Sequence, residues 1–404
     1  MNIYIFENEQ SSDFYPISRT RASFEIYCGI YKFIDRIINF FPNAKINLIV
    51  REDLFDVTKK KYPNYKINPR TIEDGVWILG NVLWSKEDLE FIINGEIGLY
   101  EKNSTIVAAK LNSSLADKAI GKSSIYNLEG NDLPLLNHNI KSSLIRFLWE
   151  IIAINSAQIK IDSKIYKTTD KLNIEDEPNY VNKNKIYIHN SVKFSKNTFF
   201  DASKGNIIIE EDVIIEPFCF LEGPLFISRN SIIKPHTQIT GGVTIGPFSK
   251  IGGEISQSII HGKTNKIHYG YLGNSYLGEW VNFGAGTTTS NLKNNYSNIK
   301  VILNNKSIDT KLHKLGSFIG DYSKTGIGTL LNTGTTIDIA CNLISNNTPP
   351  KFLPPFTWFV NEKLESYDFD KFFLMLKKMQ RNKLICKEER SLLINIYNKS
   401  SITS

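Results

Sequence analysis

Aliphatic residues recur at every sixth position through the middle of the chain. From residue 209 to residue 251 the pattern holds without a break at Ile209, Ile215, Leu221, Ile227, Ile233, Ile239, Ile245 and Ile251. The same spacing recurs on either side of this run, at Ile188, Phe194, Phe200, Leu277, Phe283, Ile319, Thr325, Leu331, Ile337 and Leu343. An amphipathic helix repeats every 3.6 residues and a half-buried strand every two, so neither element predicts this period.

A six-residue period is typical of a parallel β-helix, in which each hexad is a short strand plus a corner and three hexads close one triangular coil. The sequence therefore predicts such a coil over residues 181–348, with the aliphatic residues pointing inward; a β-sandwich with regular turns is the alternative. Two segments interrupt the period: Gln257–Tyr271, which contains His261 and His268, and Ser290–Thr310. We expect both to be corner insertions that project sideways and build a working surface.

Residues 1–180 carry a different pattern, in which short apolar runs alternate with helical apolar stripes. Strands are predicted at Asn2–Phe6, Lys45–Val50, Val76–Leu83 and Thr105–Ala109, and helices at Gly29–Phe41 and Ser142–Ile154. This alternation predicts a mostly parallel α/β sheet, whose ligands bind at the carboxyl ends of the strands. Neither of the common glycine-rich phosphate-binding motifs is present in the sequence.

Residues 349–404 begin with two Pro-Pro pairs, which end the repeat. Two amphipathic helices are predicted to follow, at Asp368–Lys378 and Glu388–Tyr397. We expect this C-terminal helical segment to cap the last turn of the coil.

Composition excludes some function classes. The 404 residues include 48 Lys+Arg and 41 Asp+Glu, and the charges are scattered, so the net charge of +7 does not indicate nucleic-acid binding. Cys28, Cys219, Cys341 and Cys386 lack the spacing of a metal site and are interpreted as reduced thiols. The first ten residues do not resemble a signal peptide, and no apolar stretch is long enough to span a membrane. We therefore expect a cytoplasmic protein with no membrane partner.

The segment from His268 to Asn291, HYGYLGNSYLGEWVNFGAGTTTSN, points to a known family. It resembles the acetyltransferase half of the bifunctional N-acetylglucosamine-1-phosphate uridylyltransferase/glucosamine-1-phosphate acetyltransferase family. A divergent sugar-nucleotidyltransferase branch of that family is more similar still, through the segments Tyr15–Ala22, Gly316–Leu343 and Pro349–Trp358. The resemblance implies that the coil is left-handed. It further implies a homotrimer and synthesis of a sugar nucleotide such as UDP-N-acetylglucosamine from a sugar phosphate, with acetyl-CoA, an NTP and Mg²⁺.

The same resemblance assigns roles to residues of the coil. His268 matches the catalytic base, which would take the proton from an amine that attacks a thioester. The residues that match amino-sugar phosphate contacts are Tyr271, Asn282 and Asn291. Ala285 and Gly286 match the turn against which acetyl-CoA lies. Two positions depart from the family: Ser256 replaces a lysine that contacts phosphate, and Asp321 replaces a serine that contacts acetyl-CoA.

In the first domain, Arg21 matches a cation that binds the nucleotide phosphates, and Asn81 and Asn155 match the Mg²⁺ ligands. Asn81 replaces a carboxylate, which should weaken metal binding. The family's glycine-rich loop is also missing, because Ile5–Asn8 stands in its place.

Four functional hypotheses remain open at this point. The chain is a two-step sugar-nucleotide enzyme, or it retains only one of the two activities and the other domain serves binding or oligomerisation. A third hypothesis is a zinc carbonic anhydrase with His236, His261 and His268 as ligands, although their spacing does not match that family. The fourth is a non-catalytic sugar-nucleotide sensor or scaffold.

Overall fold

The computed structural model describes residues 1–120, 133–136, 138–166, 171–172, 179–344, 347–379 and 385–400. It contains an α/β domain, a parallel β-helix and two C-terminal helices, as predicted. Within these residues, no helix combines the length and the apolar character that crossing a bilayer requires. The four cysteines are free thiols, and three of them are buried.

The first domain is built on a seven-stranded sheet in the order β10-β8-β9-β6-β1-β4-β5. Its strands, with those of two small sheets, are β1 Asn2–Phe6, β2 Tyr27–Cys28, β3 Tyr31–Lys32, β4 Lys45–Ile49, β5 Lys66–Ile67, β6 Gly75–Leu79, β7 Val82–Leu83, β8 Gly98–Lys102, β9 Thr105–Leu111, β10 Leu135–Leu136 and β11 Ser143–Leu144. Its helices are α1 Phe33–Phe40, α2 Phe55–Lys61, α3 Lys86–Asn94, α4 Ser113–Ile120 and α5 Leu148–Asp162. β1 pairs in parallel with both β4 and β6, whereas β9 is antiparallel to β6, so the predicted mostly parallel sheet is confirmed.

Two predicted helices have different boundaries in the structure. The helix predicted over residues 29–41 begins only at Phe33, because Gly29 has a φ of +76° and turns the chain between β2 and β3. The helix predicted over residues 142–154 begins at Leu148 and continues to Asp162. The carboxylate of Glu150 accepts hydrogen bonds from the backbone N–H groups of Arg146 and Phe147, which stabilises this later start.

The coil has three faces, each a stack of short parallel strands. The first face contains Tyr180–Val181, Phe199–Asp201, Phe220–Glu222, Gln238–Thr240, Glu254–Ser256 and Tyr271–Gly273, and a strand pair, Thr288–Thr289 with Leu330–Leu331, lies next to it. The second face contains Ile186–Ile188, Ile207–Ile209, Leu225–Ile227, Val243–Ile245, Ile259–Gly262, Tyr276–Glu279, Phe318–Ile319, Thr336–Ile337 and Phe352–Leu353. The third face contains Lys193–Phe194, Ile214–Ile215, Ile232–Ile233, Lys250–Ile251, Asn265–Lys266, Asn282–Phe283, Lys324–Thr325, Asn342–Ile344, Thr357–Val360 and the antiparallel Lys363–Ser366.

The six-residue period is confirmed as the inward side of this coil. Ile209 pairs with Ile227 and Ile227 with Ile245, eighteen residues apart each time, so three hexads close one turn. The eight uninterrupted aliphatic positions are all buried.

Only one of the two interruptions is an insertion. Residues 290–316 leave the coil and form a hairpin of Lys300–Leu303 with Lys306–Asp309, as expected of a corner insertion. The segment 257–271 instead tightens the coil, because it shortens one turn. Ile245 pairs with Ile260, which is fifteen residues later instead of eighteen. His261 and His268 therefore lie on the body of the coil and not on a projecting loop.

The first domain packs along the second face of the coil. Seven outward side chains of that face are buried beneath it: Ile208, Phe226, Thr244, Ile259, Tyr276, Phe318 and Thr336. The C-terminal helices, α6 Phe369–Met379 and α7 Lys387–Lys399, join the same hydrophobic core. α7 also contacts α2, so these helices pack against the first domain as well as the coil.

Candidate active site

His268 lies at the edge of the coil where the third face turns into the first face, on the side opposite the first domain. It forms a corner with Tyr269 and Gly270, between the strands Asn265–Lys266 and Tyr271–Gly273. Gly270 has a φ of +122°, and a Cβ atom there would lie 2.2 Å from the carbonyl oxygen of Thr287 in the next corner. The imidazole of His268 is exposed, and no hydrogen bond to it is found among the described residues.

A polar cluster lies on the first face immediately after this corner. The hydroxyl of Tyr271 is 2.8 Å from Oγ of Ser256 and accepts a hydrogen bond of 2.9 Å from Nδ2 of Asn291. The same amide nitrogen also donates to Oδ1 of Asn274, at 2.8 Å. All four side chains are half-buried, so they hold one another in place and remain accessible. We call Ser256, Tyr271, Asn274 and Asn291 the acceptor cluster.

The structure thus brings Tyr271 and Asn291 together, although they are twenty residues apart. It also gives Ser256 a structural role, because the hydroxyl of Ser256 is a hydrogen-bond partner of Tyr271. The third predicted acceptor residue, Asn282, is half-buried on the third face. Its side chain forms no hydrogen bond with the four residues of the acceptor cluster.

Ala285 and Gly286 lie in the corner adjacent to that of His268. Gly286 has a φ of +76°, and its N–H donates to the carbonyl oxygen of Tyr269 at 3.2 Å. A Cβ atom on Gly286 would lie 3.1 Å from the hydroxyl oxygen of Tyr269, so a glycine leaves space for that ring. Tyr269 itself is 73% exposed.

A groove beside the acceptor cluster carries positive charge. It has a volume of about 510 Å³, and Ser256 lies on its wall. Lys160 of α5 and Lys204 of the coil also line it, and both side chains are exposed. Lys204 pairs with Glu222 at 2.8 Å.

Arg21, the predicted phosphate ligand, is buried between the first domain and the coil. Its Nη2 lies 2.5 Å from Oδ2 of Asp321, and the side chains of both residues are at most 5% exposed. Asp321 also accepts a hydrogen bond from the backbone N–H of Glu279. The aspartate that replaces a serine of the family therefore pairs with Arg21, and neither residue faces an open site.

Arg19 and Arg51 are the cations that the sequence analysis missed. They line a cavity of about 300 Å³ near the carboxyl ends of β1 and β4, together with Tyr15, Pro354 and Leu392. Each arginine is 25% exposed while it is paired, Arg19 with Asp338 at 2.9 Å and Arg51 with Glu7 at 2.8 Å. The position of Arg51 directly after a parallel strand was the available sequence signal.

The two predicted Mg²⁺ ligands do not fit a metal. Oδ1 of Asn155 accepts from the N–H of Gly29 at 2.8 Å, and Nδ2 donates to the carbonyl oxygen of Gly242 at 3.0 Å. Nδ2 of Asn81 donates to the carbonyl oxygen of Ile145 at 2.6 Å, and its Oδ1 is buried without a partner among the described residues. A neutral amide oxygen is a weak ligand, and no group of three acidic, histidine or cysteine side chains surrounds a common point in the described residues.

The three histidines of the zinc hypothesis do not converge in this chain. His261 is buried under the first domain, where its Nε2 lies 3.0 Å from the carbonyl oxygen of Glu25. His236 and His268 lie at the opposite edge of the coil, and His236 stacks on Phe218 with ring centroids 5.2 Å apart.

Comparison with known proteins agrees with the α/β domain described above. Residues 3–171 match the family model described as sugar nucleotidyl transferase. The match covers most of the α/β domain and less than half of the chain. A bifunctional sugar-1-phosphate nucleotidylyltransferase/acetyltransferase of Sulfurisphaera tokodaii is 34% identical over 136 residues, which cover 33% of this chain and 34% of that protein. The bifunctional protein GlmU of Methanocaldococcus jannaschii is 33% identical over 149 residues, which cover 34% of each chain.

The matched segments thus span about a third of the length of these curated relatives. Among solved structures, the UDP-N-acetylglucosamine acyltransferase of Francisella novicida matches with a TM-score of 0.30 and 11% identity, over 54% of this chain and 90% of that chain. The chain therefore combines a domain that matches the sugar nucleotidyl transferase family model with a parallel β-helix.

Proposed function

We propose that the chain makes a sugar nucleotide in two steps. The coil transfers an acetyl group from acetyl-CoA to the amine of an amino-sugar 1-phosphate. The first domain then transfers a nucleotidyl group from an NTP to the sugar phosphate and releases pyrophosphate. The observation that carries the proposal is the position of the exposed His268 next to the acceptor cluster at an open edge of the coil.

The acetyl-transfer step needs a base and a site for the amino sugar. The amine attacks the thioester carbonyl, the imidazole of His268 takes its proton, and the carbon–sulfur bond breaks to release coenzyme A. Hydroxyl and amide groups of Tyr271 and Asn291 would hold the sugar hydroxyls. Ala285 and Gly286 form the adjacent corner, where the pantetheine arm of acetyl-CoA would lie against backbone.

The charged groove would hold the phosphate of the acceptor. A three-residue strand spans about 10 Å, so a sugar phosphate that lies along Tyr271–Gly273 extends from His268 to the wall of the groove. There Lys160 and Lys204 would supply the positive charge that is lost where Ser256 replaces the family's phosphate-binding lysine. Lys160 belongs to α5, so the first domain would contribute to the acetyl-transfer site.

Nucleotidyl transfer by the first domain is the second activity, and the family match over residues 3–171 favours it. We place the phosphates of the NTP at the cavity lined by Arg19 and Arg51, since guanidinium groups bind phosphate in two-pronged geometry. Mg²⁺ would enter with the nucleotide. Asn81 and Asn155 would not hold it, because their amide groups are hydrogen-bonded to the protein.

The test is a mass-spectrometric incubation of the protein with Mg²⁺, acetyl-CoA, glucosamine 1-phosphate and a mixture of NTPs. An NDP-N-acetylhexosamine is expected, and its mass identifies the nucleobase. An acetylated sugar phosphate alone would restrict the proposal to the coil. Formation of neither product from glucosamine 1-phosphate or other amino-sugar 1-phosphates would overturn it.

His268→Ala is expected to lower the rate of acetyl transfer by a factor of the order of a hundred or more, because a general base is lost. His236→Ala is the matched control, since His236 is exposed at the same edge but stacks on Phe218. Nucleotidyl transfer to N-acetylglucosamine 1-phosphate should be unchanged in both variants. An unchanged rate of acetyl transfer in His268→Ala would exclude His268 as the catalytic base.

A further inference from the structure

Lys266 occupies an inward position of the coil that apolar residues fill in most other turns. On the third face it pairs with Ile251, and the pairing of Asn265 with Asn282 places it beside Phe283. The residue is only 2% exposed. Burial lowers the pKa of its ammonium group to about 8. A cation inside a hydrophobic stack costs free energy unless it is well hydrogen-bonded, so its partners are informative.

The ammonium group donates hydrogen bonds to two backbone carbonyl oxygens, both at corners of the coil. Nζ donates to the carbonyl oxygen of His268 at 2.6 Å and to that of Gly252 at 2.8 Å. These residues lie in successive corners of the same edge. A Cβ atom on Gly253 would lie 2.9 Å from Nζ and 2.9 Å from the carbonyl oxygen of His268, so the glycine there leaves room for the contact.

The hydrogen bond from Lys266 restrains the backbone that carries His268. Its imidazole has no hydrogen bond among the described residues, so the position of the ring follows from the backbone that carries it. A displacement of about 1 Å of a reacting group can cost a hundredfold in rate.

We infer that Lys266 is a positioning residue for acyl transfer, which holds the corner of His268 from inside the coil and so fixes the backbone from which the imidazole extends. This inference rests on the proposed function, because it requires His268 to be the base. It goes beyond that function because Lys266 itself touches neither substrate.

Kinetics of a double-mutant cycle test the inference. Lys266→Met keeps the length of the side chain, suits an apolar interior and removes both hydrogen bonds. We expect kcat to fall by a factor of about ten to a hundred with little change in KM for acetyl-CoA. In a His268→Ala background the same substitution should have no further effect, because Lys266 acts through His268. An unchanged kcat, or the same loss in both backgrounds, would overturn the inference.

A matched variant separates positioning from general loosening of the coil. Ile233 occupies the same inward column two turns away, where it pairs with Ile251, the neighbour of Lys266. Ile233→Ala should lower the melting temperature and leave kcat nearly unchanged, whereas Lys266→Met should lower kcat without a comparable loss of melting temperature. The reverse pattern would assign Lys266 a merely structural role.

A spectroscopic measurement decides the question without any turnover. In protein labelled with ¹³C at the histidine rings, the signal of His268 is identified among the six histidines by its absence from His268→Ala. Lys266→Met should change the pH titration and line width of that signal, and Ile233→Ala should not. An identical titration in Lys266→Met would refute positioning even if no acetyl transfer were measured, whereas absence of transfer in the unmodified protein would count against the proposed function alone.

Discussion

Arg21 and Asn155 have side chains suited to binding phosphate and metal, and both bind the coil instead. Arg21 pairs with Asp321, and Asn155 hydrogen-bonds the backbone of Gly29 and Gly242. Buried polar groups must be paired, and at this interface the available partners are protein groups. Residue type alone therefore does not distinguish a ligand-binding side chain from one that joins two domains.

His261 is the residue at this interface whose titration has a measurable consequence. Burial, assisted by the charge of Arg21, lowers its pKa from 6.5 to about 4. The imidazole is therefore neutral at pH 7, and the approach of Nδ1 to Glu279 at 3.4 Å is not an ion pair at that pH.

We expect His261 to make the protein less stable in acid. Between pH 6.5 and 4 the unfolded chain binds a proton at this position and the folded chain does not. The free energy of unfolding should therefore fall with decreasing pH, by up to about 1.4 kcal/mol per pH unit for this group. Urea unfolding over this pH range measures the effect. The free energy of unfolding should vary less with pH in His261→Gln than in the unmodified protein. In His236→Gln, whose position is exposed, it should vary as in the unmodified protein. If the free energy of unfolding changed equally with pH in His261→Gln and in the unmodified protein, His261 would have an ordinary pKa in the folded protein.

At the scale of elements, the second face of the coil differs from the other two because its outward side chains are covered. Phe318 is 1% exposed and packs near Trp149, with ring centroids 6.3 Å apart. Phe248, which lies at a corner of the same coil, is 50% exposed. The two residues are chemically identical and differ in whether the first domain lies over them.

Phe318→Ala should lower the free energy of unfolding by about 3–5 kcal/mol, because it opens a cavity beneath the first domain. Phe248→Ala, the control on an uncovered corner, should change it by much less. Thermal unfolding monitored by calorimetry measures both. Limited proteolysis should also cleave the first domain faster in Phe318→Ala; similar behaviour of the two variants would contradict the packing described here.

At the scale of the whole molecule, the first domain covers one side of the coil and leaves the opposite edge open. That edge carries His268 and the exposed apolar side chains of Phe218, Tyr269 and Ile327, the last of which is 82% exposed. An apolar edge next to a proposed active site suits contact with a second copy of the chain. We therefore propose a homotrimer that packs through this edge, with the first domains on the outside.

Light scattering should give a mass three times that of the 46.0 kDa chain. Ile327→Asp, which puts a charge on the open edge, should reduce the mass to that of one chain and lower acetyl transfer. Phe248→Asp, at a different edge, should preserve the trimer. A single-chain mass for the unmodified protein at micromolar concentration would exclude the trimer.

The sequence alone determined the coil, because its inward positions repeat one local requirement every six residues and any aliphatic side chain meets it. The strands of the first domain followed from the same kind of local pattern. The segment 257–271 was interpreted wrongly as an insertion, since a broken period shows where the register changes but not whether residues are added or removed. His268, Tyr271 and Asn291 were named through resemblance, and their catalytic roles stay predictions.

Only the tertiary structure decided what the outward residues do. Whether an outward side chain faces solvent, a substrate or another domain depends on what packs over it, and that partner is distant in sequence. Arg21 and Asp321 are 300 residues apart, and neither position by itself indicates their pairing. Likewise Lys266 is an ordinary surface residue by type, and its burial became visible only when the tightened coil placed it in an aliphatic column beneath His268.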